Sequence, residues 1–224
     1  MQKLSKLLKT QTQLVFLYGV LCTIVIIASI FSPHFRTSEN LFNILAQAVP
    51  LGLVAFGQTI ALLTAGVDLS VGGVMSIATA LCATLIHTSY FSVFIAVLAV
   101  LVIGGGVGVL NGISRTILGL PPFIGTLCTL MIAQGIALAI LPRPGGYIPD
   151  HLMVFFGFEF GIFRLPVVYF FLILFGLYIL LRYHPRGRYF YAIGGSLEAS
   201  KASGLAVNRI IIQAHVLCLS LIHI

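Results

Sequence analysis

Long apolar runs separated by short polar segments make up most of the chain. Six of these runs have the length of a membrane span, at residues 14–31, 41–64, 71–87, 91–110, 122–141 and 165–181. An α-helix needs roughly 20 apolar residues to cross about 30 Å of hydrocarbon. A seventh run begins near Ile210, and the chain ends inside it. The pattern predicts an all-α polytopic membrane protein, with residues 1–224 forming a single transmembrane domain of about six transmembrane helices and the start of a seventh.

The composition supports this class. Hydrophobic residues make up 59% of the chain and charged residues 8%, whereas soluble domains carry about 25% charged residues. This chain therefore cannot present a charged, water-facing surface of ordinary extent. That excludes an ordinary soluble enzyme, a disordered chain and a nucleic-acid-binding domain, and no nucleic-acid partner is expected. The net charge of +7 is attributed to inner loops, which collect Lys and Arg in membrane proteins.

The distribution of basic residues predicts the orientation. With the N-terminus on the cytoplasmic side, the inner segments hold nine of the 12 Lys and Arg residues, and the outer segments hold Arg36, Arg143 and Arg164. This asymmetry follows the positive-inside rule, so the N-terminus is predicted to be cytoplasmic. The first run has the length of a span and no small-residue cleavage motif after it, so no cleaved signal peptide is expected.

Sequence patterns for catalysis or metal binding are absent. The four cysteines form no CxxC pair, and the six histidines show no HExxH spacing. Residues 104–106 are all glycine, but no Gly-Lys-Ser/Thr follows them, so they are not a Walker A motif. The five acids are spread along the chain and form no cluster of the kind that a membrane-embedded enzyme needs. We expect no catalytic residue, no metal site and no cofactor in this chain.

Small residues recur at every fourth position on two of the predicted spans. Such faces let helix backbones approach closely inside lipid, where packing rather than the hydrophobic effect joins helices. The two predicted packing faces are Gly104, Gly108 and Gly112 on the fourth run, and Gly72, Ser76 and Ala80 on the third.

An acidic residue lies at the boundary between the second and third runs. Placing the Asp68 carboxylate at the membrane boundary costs free energy unless it is hydrated, caps a helix or is paired with another group. One interpretation is that Asp68 or Ser70 caps the next helix, with Gly66 permitting the turn before it. The other places Asp68 beside a hydrophilic pathway, and the two roles are compatible. Sequence alone leaves both open.

Uncharged polar side chains occur inside two of the runs and at the inner end of a third, namely Gln58, Thr126 and Asn111. They can bond to neighbouring helices or line a passage for a polyhydroxylated solute, and interhelical bonding is the more common use. No charged side chain lies in the predicted membrane core, which gives a proton relay or ion pump little support.

The inner segment from about residue 182 to 209 carries a second candidate site. Gly194 and Gly195 are expected to break the chain, and residues 197–203 then read as a short helix closed by Gly204. A short cytoplasmic helix of small residues, with one acid and one base, can dock into a groove on a partner. A plain interfacial connector is an equal alternative.

Three segments match one known pattern in the same order. They are residues 66–72 (GVDLSVG), residues 111–112 and 120–127 (NG, then LPPFIGTL), and residues 191–204 (YAIGG, then EA, then SG). These resemble the G-[IV]-D-L-S-V-G, N-G…I-P-P-F-I-A-T-L and Y-A-I-G-G-N-x-x-A-A-x-x-S-G-I motifs of ribose-type ABC transporter permeases. The resemblance covers about residues 41–209, and the three motifs together are highly specific.

The resemblance implies a multi-pass subunit of an importer in the bacterial inner membrane. Its partners would be a second permease copy or a related permease, a cytoplasmic ABC ATPase that binds ATP and Mg²⁺, and a periplasmic sugar-binding protein. The substrate would be a monosaccharide such as ribose, arabinose, xylose or a galactose-like sugar, the furanone-like signal autoinducer-2, or a related small polyol.

The resemblance also assigns residues to the coupling site, while the residues of the spans and of the turn between them supply the candidates for the second site. Residues 184–209 would form the coupling loop to the ATPase, with the contact residues Gly194, Gly195, Glu198, Ala199, Ser203 and Gly204. The candidates for a translocation pathway or structural turn are Gln58, Gly66, Asp68, Ser70, Asn111, Phe123 and Thr126.

Two alternatives and one departure stay open. A proton-coupled secondary transporter would lose uptake with an uncoupler while ATP persists, and a non-transporting accessory protein would show no uptake. Members of the family usually carry further spans, and residues 217–224 do not match the small, glycine-containing helix expected there. The sequence therefore predicts a C-terminally truncated chain with a non-native tail, and a natural short protein is the alternative.

Overall fold

The computed structural model describes residues 2–146, 148–156, 158–160 and 163–221. Helices dominate these residues, which confirms the predicted all-α polytopic class. The elements are α1 (Gln2–Phe31), a 3₁₀ turn (Pro33–Arg36), α2 (Ser38–Leu63), α3 (Val71–Leu85), α4 (Tyr90–Thr116), α5 (Pro122–Ile140), α6 (Asp150–Phe156), β1 (Glu159–Phe160), β2 (Phe163–Arg164), α7 (Leu165–Arg182), α8 (Pro185–Gly195), α9 (Leu197–Ala202) and α10 (Val207–Leu221). The strands β1 and β2 form a two-residue antiparallel pair.

Among the described residues, five helices are long and apolar enough to cross a membrane, namely α1, α2, α4, α5 and α7. The predicted third span differs from these, because α3 has 15 residues and is about 22 Å long. It begins at the predicted residue and ends two residues before His87. The side chain of Ser89 accepts a hydrogen bond from the Phe91 N–H and so caps α4 after a short link.

The described residues divide into two compact units, one up to residue 47 and one from residue 48 onward. The first contains α1, the 3₁₀ turn and the beginning of α2, where Asn40 Nδ2 donates to Phe35 O at 3.2 Å. The second contains the other helices, and its core consists of apolar clusters between them. One cluster joins α2, α8 and α10 through Ile60, Phe190 and Ile210. Another joins α3 and α5.

The glycine face of α4 packs closely against another helix, as predicted, and the structure shows that this helix is α10. A Cβ added at Gly108 would lie 2.6 Å from Val216 Cα, and one added at Gly112 would lie 2.6 Å from Ile212 Cα. Both distances are far below ordinary contact between carbon atoms, which is about 3.5–4.0 Å. Glycine is therefore required at these two positions because the main chain of α10 occupies the space of a side chain.

The predicted packing face of α3 is confirmed at Ala80 but not at Gly72 and Ser76, because the contact with α5 is shifted by one residue at the start of the helix. Gly72 and Ser76 are exposed, although Ala80 is buried. The glycine that meets a neighbour is Gly73, where an added Cβ would lie 2.8 Å from Ala133 Cβ on α5. One residue turns a helix by about 100°, so this shift selects a different face of α3.

The inner segment contains two helices and a sharp joint. The expected break at Gly194 and Gly195 is wrong in position, because α8 continues through both glycines and ends before Ser196. The short helix is confirmed as α9, and the Ser196 Oγ accepts from the Ala199 N–H at 3.2 Å at its start. Gly204 follows α9 with φ +79°, a conformation that glycine adopts without strain.

Residues 217–221 of the tail belong to α10, where Cys218 and Leu219 are fully buried. The rest of the tail, residues 222–224, lies outside the described residues.

Candidate functional site

A buried polar cluster surrounds Asp68 in the irregular segment between α2 and α3. The side chains of Asp68 and Asn111 are 2% and 1% exposed, and those of Ser70 and His215 are fully buried. Asn111 comes from α4 and His215 from α10, so the cluster joins elements that are far apart in the sequence. Burying a charge costs free energy unless donors surround it, and the contacts of Asp68 supply them.

Both carboxylate oxygens of Asp68 accept hydrogen bonds. Oδ1 accepts from the Ser70 N–H at 3.0 Å and from the Ser70 hydroxyl at 2.5 Å. The Asn111 side-chain amide donates to Oδ1 at 3.2 Å and to Oδ2 at 3.1 Å. His215 Nδ1 lies 2.8 Å from Oδ2. Since the other groups at this carboxylate are donors, the tautomer consistent with the cluster carries a proton on His215 Nδ1 and donates it to Asp68.

His215 is the member of the cluster that the sequence did not indicate. Its Nε2 has no hydrogen-bond partner among the described residues. A histidine within an apolar run is itself a signal, because ionisable residues at membrane depth are rare and usually paired.

The cluster corrects the interpretation of Ser70 and Asp68 as helix caps. The Ser70 hydroxyl donates to Asp68 and accepts from Asn111 Nδ2 at 2.8 Å, and it makes no capping bond to α3. Asp68 accepts from the Ser70 N–H, which precedes the first helical residue. These oxygens bind across the molecule and are therefore not available to the first turn of α3.

Asn111 extends the cluster to α5. Its Oδ1 accepts from the Thr129 hydroxyl at 2.7 Å, while its Nδ2 serves Asp68 and Ser70. The amide thus uses both of its ends, and the network fixes its orientation. Thr129 is a second residue that sequence reasoning missed. A threonine hydroxyl in a helix can also donate to the carbonyl oxygen four residues earlier, as Thr129 does to Gly125 O, so its presence in a helix does not indicate a bond to another helix.

The main chain of the segment is held by two longer side chains. The Gln58 amide, oriented to satisfy both of its ends, donates to Asp68 O at 3.1 Å and accepts from Asp68 N at 3.3 Å. Arg115 Nη2 donates to Thr64 O at 2.6 Å. A Cβ on Gly66 would lie 2.5 Å from Arg115 Nη1, so glycine leaves room for the guanidinium. The segment is thereby held in an irregular conformation that its own residues do not specify.

Two further predicted residues lie at different places. Thr126 is 1% exposed, and its hydroxyl donates to Pro122 O at 2.7 Å, within 3.4 Å of Val67 O. Phe123 is 57% exposed on the surface of α5 and does not belong to the cluster. The structure therefore brings Gln58, Gly66, Asp68, Ser70 and Asn111 together, with Thr126 beside them. Their part in translocation stays a prediction.

Most of the predicted coupling residues are exposed, and they follow the well-packed helix α8. Glu198 and Ala199 of α9, and Ser203 and Gly204 after it, are exposed, whereas Ser200 is 5% exposed. Phe190 and Ile193 of α8, which belong to the apolar cluster with α2 and α10, lie on the other side of the joint.

The absence of a side chain at Gly194 allows α8 to approach the end of α2 closely. A Cβ on this residue would clash with the carbonyl oxygen of Leu63 at the end of α2, while one on Gly195 would meet nothing within 4 Å. The two predicted contact glycines are thus different, because only the first is required by packing.

Within the described ranges, no three His, Cys, Asp or Glu side chains come together in a way that could hold a metal ion. The described part of the chain offers hydrogen-bond donors and acceptors at the Asp68 cluster and a short exposed helix, α9.

Comparison with known proteins places these features in a family. The family described as "Branched-chain amino acid transport system / permease component" matches residues 40–218. The ribose import permease protein of Escherichia coli strain K12 is 32% identical over 206 residues, which are 88% of this chain and 63% of that protein. The ribose import permease protein of Bacillus subtilis strain 168 is 36% identical over 84% of this chain and 59% of its own length.

A third relative is the galactofuranose transporter permease protein of E. coli strain K12, 32% identical over 88% of this chain and 60% of that protein. The chain thus spans about three fifths of the length of the curated relatives it matches. No solved structure matches it. The resemblance to sugar ABC permeases is confirmed. The chain belongs to the family of permease components of such transport systems, and it is a multi-pass protein of the bacterial inner membrane.

Proposed function

We propose that this chain is the permease subunit of an ATP-driven, binding-protein-dependent importer of a monosaccharide or related small polyol. The observation that carries the proposal is α9, a short exposed helix with Glu198 on its surface, joined by one residue to the firmly packed α8. A partner that binds such a helix can transmit its movement to the permease, because α9 is tied to α8 and α8 is packed against α2 and α10. The relatives are named for ribose import and galactofuranose transport, which supports the substrate class.

The partners and cofactors follow from this role. A cytoplasmic ABC ATPase binds ATP and Mg²⁺ and supplies the energy. A periplasmic sugar-binding protein delivers the solute, and a second copy of the permease or a related permease completes the pathway. The chain itself contributes the translocation pathway and the coupling helix α9, and the ATPase subunit hydrolyses ATP.

A continuous path of packed elements supports coupling between α9 and the Asp68 cluster. Movement of α9 acts on α8, whose Phe190 and Ile193 pack with residues of α2 and α10. The helix α10 packs closely on α4 and holds Asp68 through His215. For ATPase closure to shift the permease from one conformation to the other, the closed ATPase must bind the second conformation more tightly by a few kcal/mol.

Uptake measurements test the proposal. Cells that express the chain with its binding protein and ATPase are expected to accumulate radiolabelled ribose or a related sugar. Uptake should stop when a substitution of the Walker A lysine inactivates the ATPase. It should persist when an uncoupler collapses the proton gradient while ATP is maintained. Uptake that follows the proton gradient would identify a secondary transporter, and no uptake with any monosaccharide would refute the proposal.

Glu198→Arg tests the assignment of α9. Because like charges at an interface are costly, we expect the variant to bind the ATPase at least about tenfold more weakly in detergent and to lose sugar-stimulated ATP hydrolysis. Asp150→Arg, which makes a comparable charge reversal at an exposed residue of α6 on the predicted outer side, is the control and should bind normally. Unchanged ATPase binding by Glu198→Arg would contradict the role of this helix.

A further inference from the structure

A groove lies between α2, α7 and α8, away from the Asp68 cluster. It encloses about 700 Å³, within the range of about 300–1,000 Å³ that is usual for ligand sites. Its walls are apolar, with Phe56 and Ile60 from α2 and Leu174, Leu177 and Leu181 from α7. The lining of α7 from residue 174 to 181 extends over about 10 Å of helix. These walls fit a hydrocarbon chain that lies along the helices.

The groove ends at two arginines. Arg182 is the last residue of α7, Arg188 belongs to α8, and both line the groove and are exposed. No acidic residue lines the groove, and neither arginine forms an ion pair within the part of the chain that the structure describes. An arginine presents planar donors that match the oxygens of a phosphate. The charge at this end of the groove is therefore suited to an anionic phosphate group.

Two tyrosines border the same end. Tyr178 of α7 and Tyr191 of α8 line the groove and are each 52% exposed. Tyrosine is enriched where hydrocarbon meets water, because its ring is apolar and its hydroxyl polar. Arg182 and Arg188 belong to the inner segment that the positive-inside rule places on the cytoplasmic side. Apolar walls, an aromatic rim and two unpaired cations thus follow one another in the order of a lipid leaflet.

We propose that the groove between α2, α7 and α8 is a binding site for an anionic phospholipid of the inner leaflet. One acyl chain lies against Phe56, Leu174 and Leu177, and the phosphate binds Arg182 and Arg188. This site is separate from sugar transport and does not depend on the proposed function.

Native mass spectrometry of the purified chain tests the site. The protein in a mild detergent is titrated with phosphatidylglycerol and, separately, with phosphatidylcholine of the same acyl chains. We expect tighter binding of phosphatidylglycerol. The Arg182→Gln/Arg188→Gln variant should lose roughly 30-fold in that affinity, since each basic residue at an anionic surface strengthens binding by about fivefold. The Arg143→Gln/Arg209→Gln variant removes the same charge from exposed positions elsewhere and should bind like the wild type.

Two further arms separate the components of the ligand. Thr59 is exposed in the groove, so Thr59→Trp should obstruct the acyl chain and weaken binding while leaving both arginines in place. Inorganic phosphate at millimolar concentration should not displace the lipid. Displacement by phosphate would instead identify a site for free phosphate and overturn the proposal. Equal affinity for both lipids, or equal losses in the two double-arginine variants, would also overturn it.

Discussion

A single methyl group on Gly108 provides a sharp test of how α4 and α10 are packed. The added Cβ would lie 2.6 Å from Val216 Cα and 2.9 Å from His215 O. Both are main-chain atoms of α10, so no change of rotamer can relieve the overlap. Because ordinary carbon contacts begin at about 3.5 Å, the two helices must separate locally by about 1 Å.

The expected magnitude follows from a comparison of two glycines on the same helix. Overpacking costs about 1–3 kcal/mol, while replacing glycine by alanine in a helix contributes roughly 1 kcal/mol of propensity. Gly105→Ala gains the same propensity, but nothing lies within 4 Å of its added Cβ. Since propensity cancels between the two variants, the free energy of unfolding of Gly108→Ala should be about 1–3 kcal/mol lower than that of Gly105→Ala.

Unfolding by sodium dodecyl sulfate in mixed micelles, followed by far-UV circular dichroism, measures this difference. The displacement also strains the 2.8 Å contact between His215 and Asp68, so the loss should fall at the upper end of the range. Gly108→Leu adds a much larger side chain and should prevent accumulation of the folded protein. Equal stability of the two alanine variants would show that this face of α4 does not pack on α10.

Two further predictions concern the polar cluster and the inner helices. Asp68→Ala should reduce the free energy of unfolding by about 1–3 kcal/mol for each buried donor that it leaves unpaired around the carboxylate. Asp150→Ala, at an exposed acid, should change it by less than about 0.5 kcal/mol in the same titration. Gly194→Ala should destabilise the protein because its methyl group meets the main chain of Leu63, whereas Gly195→Ala should be tolerated. Similar thermal stability of these two glycine variants in detergent would contradict the close approach of α8 to α2.

Several features follow from local sequence and are confirmed by the structure. Most predicted spans agree with the helices within a few residues, because the length of an apolar run reflects how much hydrocarbon a helix can cross. The short helix α9 and the positive φ of Gly204 were likewise expected from helix propensity and glycine. The spacing of glycines on α4 predicted a close helix contact, although it did not name α10 as the neighbour.

Other features depend on residues distant in the chain. Asp68 looked like a cap because Ser70 and α3 follow it directly, yet its partner His215 lies 147 positions away. The face of α3 was predicted one residue from the observed contact, since Gly72 and Gly73 are locally equivalent and only the position of α5 distinguishes them. Gly194 likewise looked like a break, because its contact with α2 cannot be read from its neighbours.

The sequence by itself thus determined the class of the protein, the approximate limits of its spans and the motifs of its family. Apolar run length, helix propensity and motif order are properties of neighbouring residues. Only the tertiary contacts specify which helix faces meet, which donors bind Asp68 and where a groove with two arginines opens. Those features arise from contacts between distant residues, where a helix rotation of one position changes every partner.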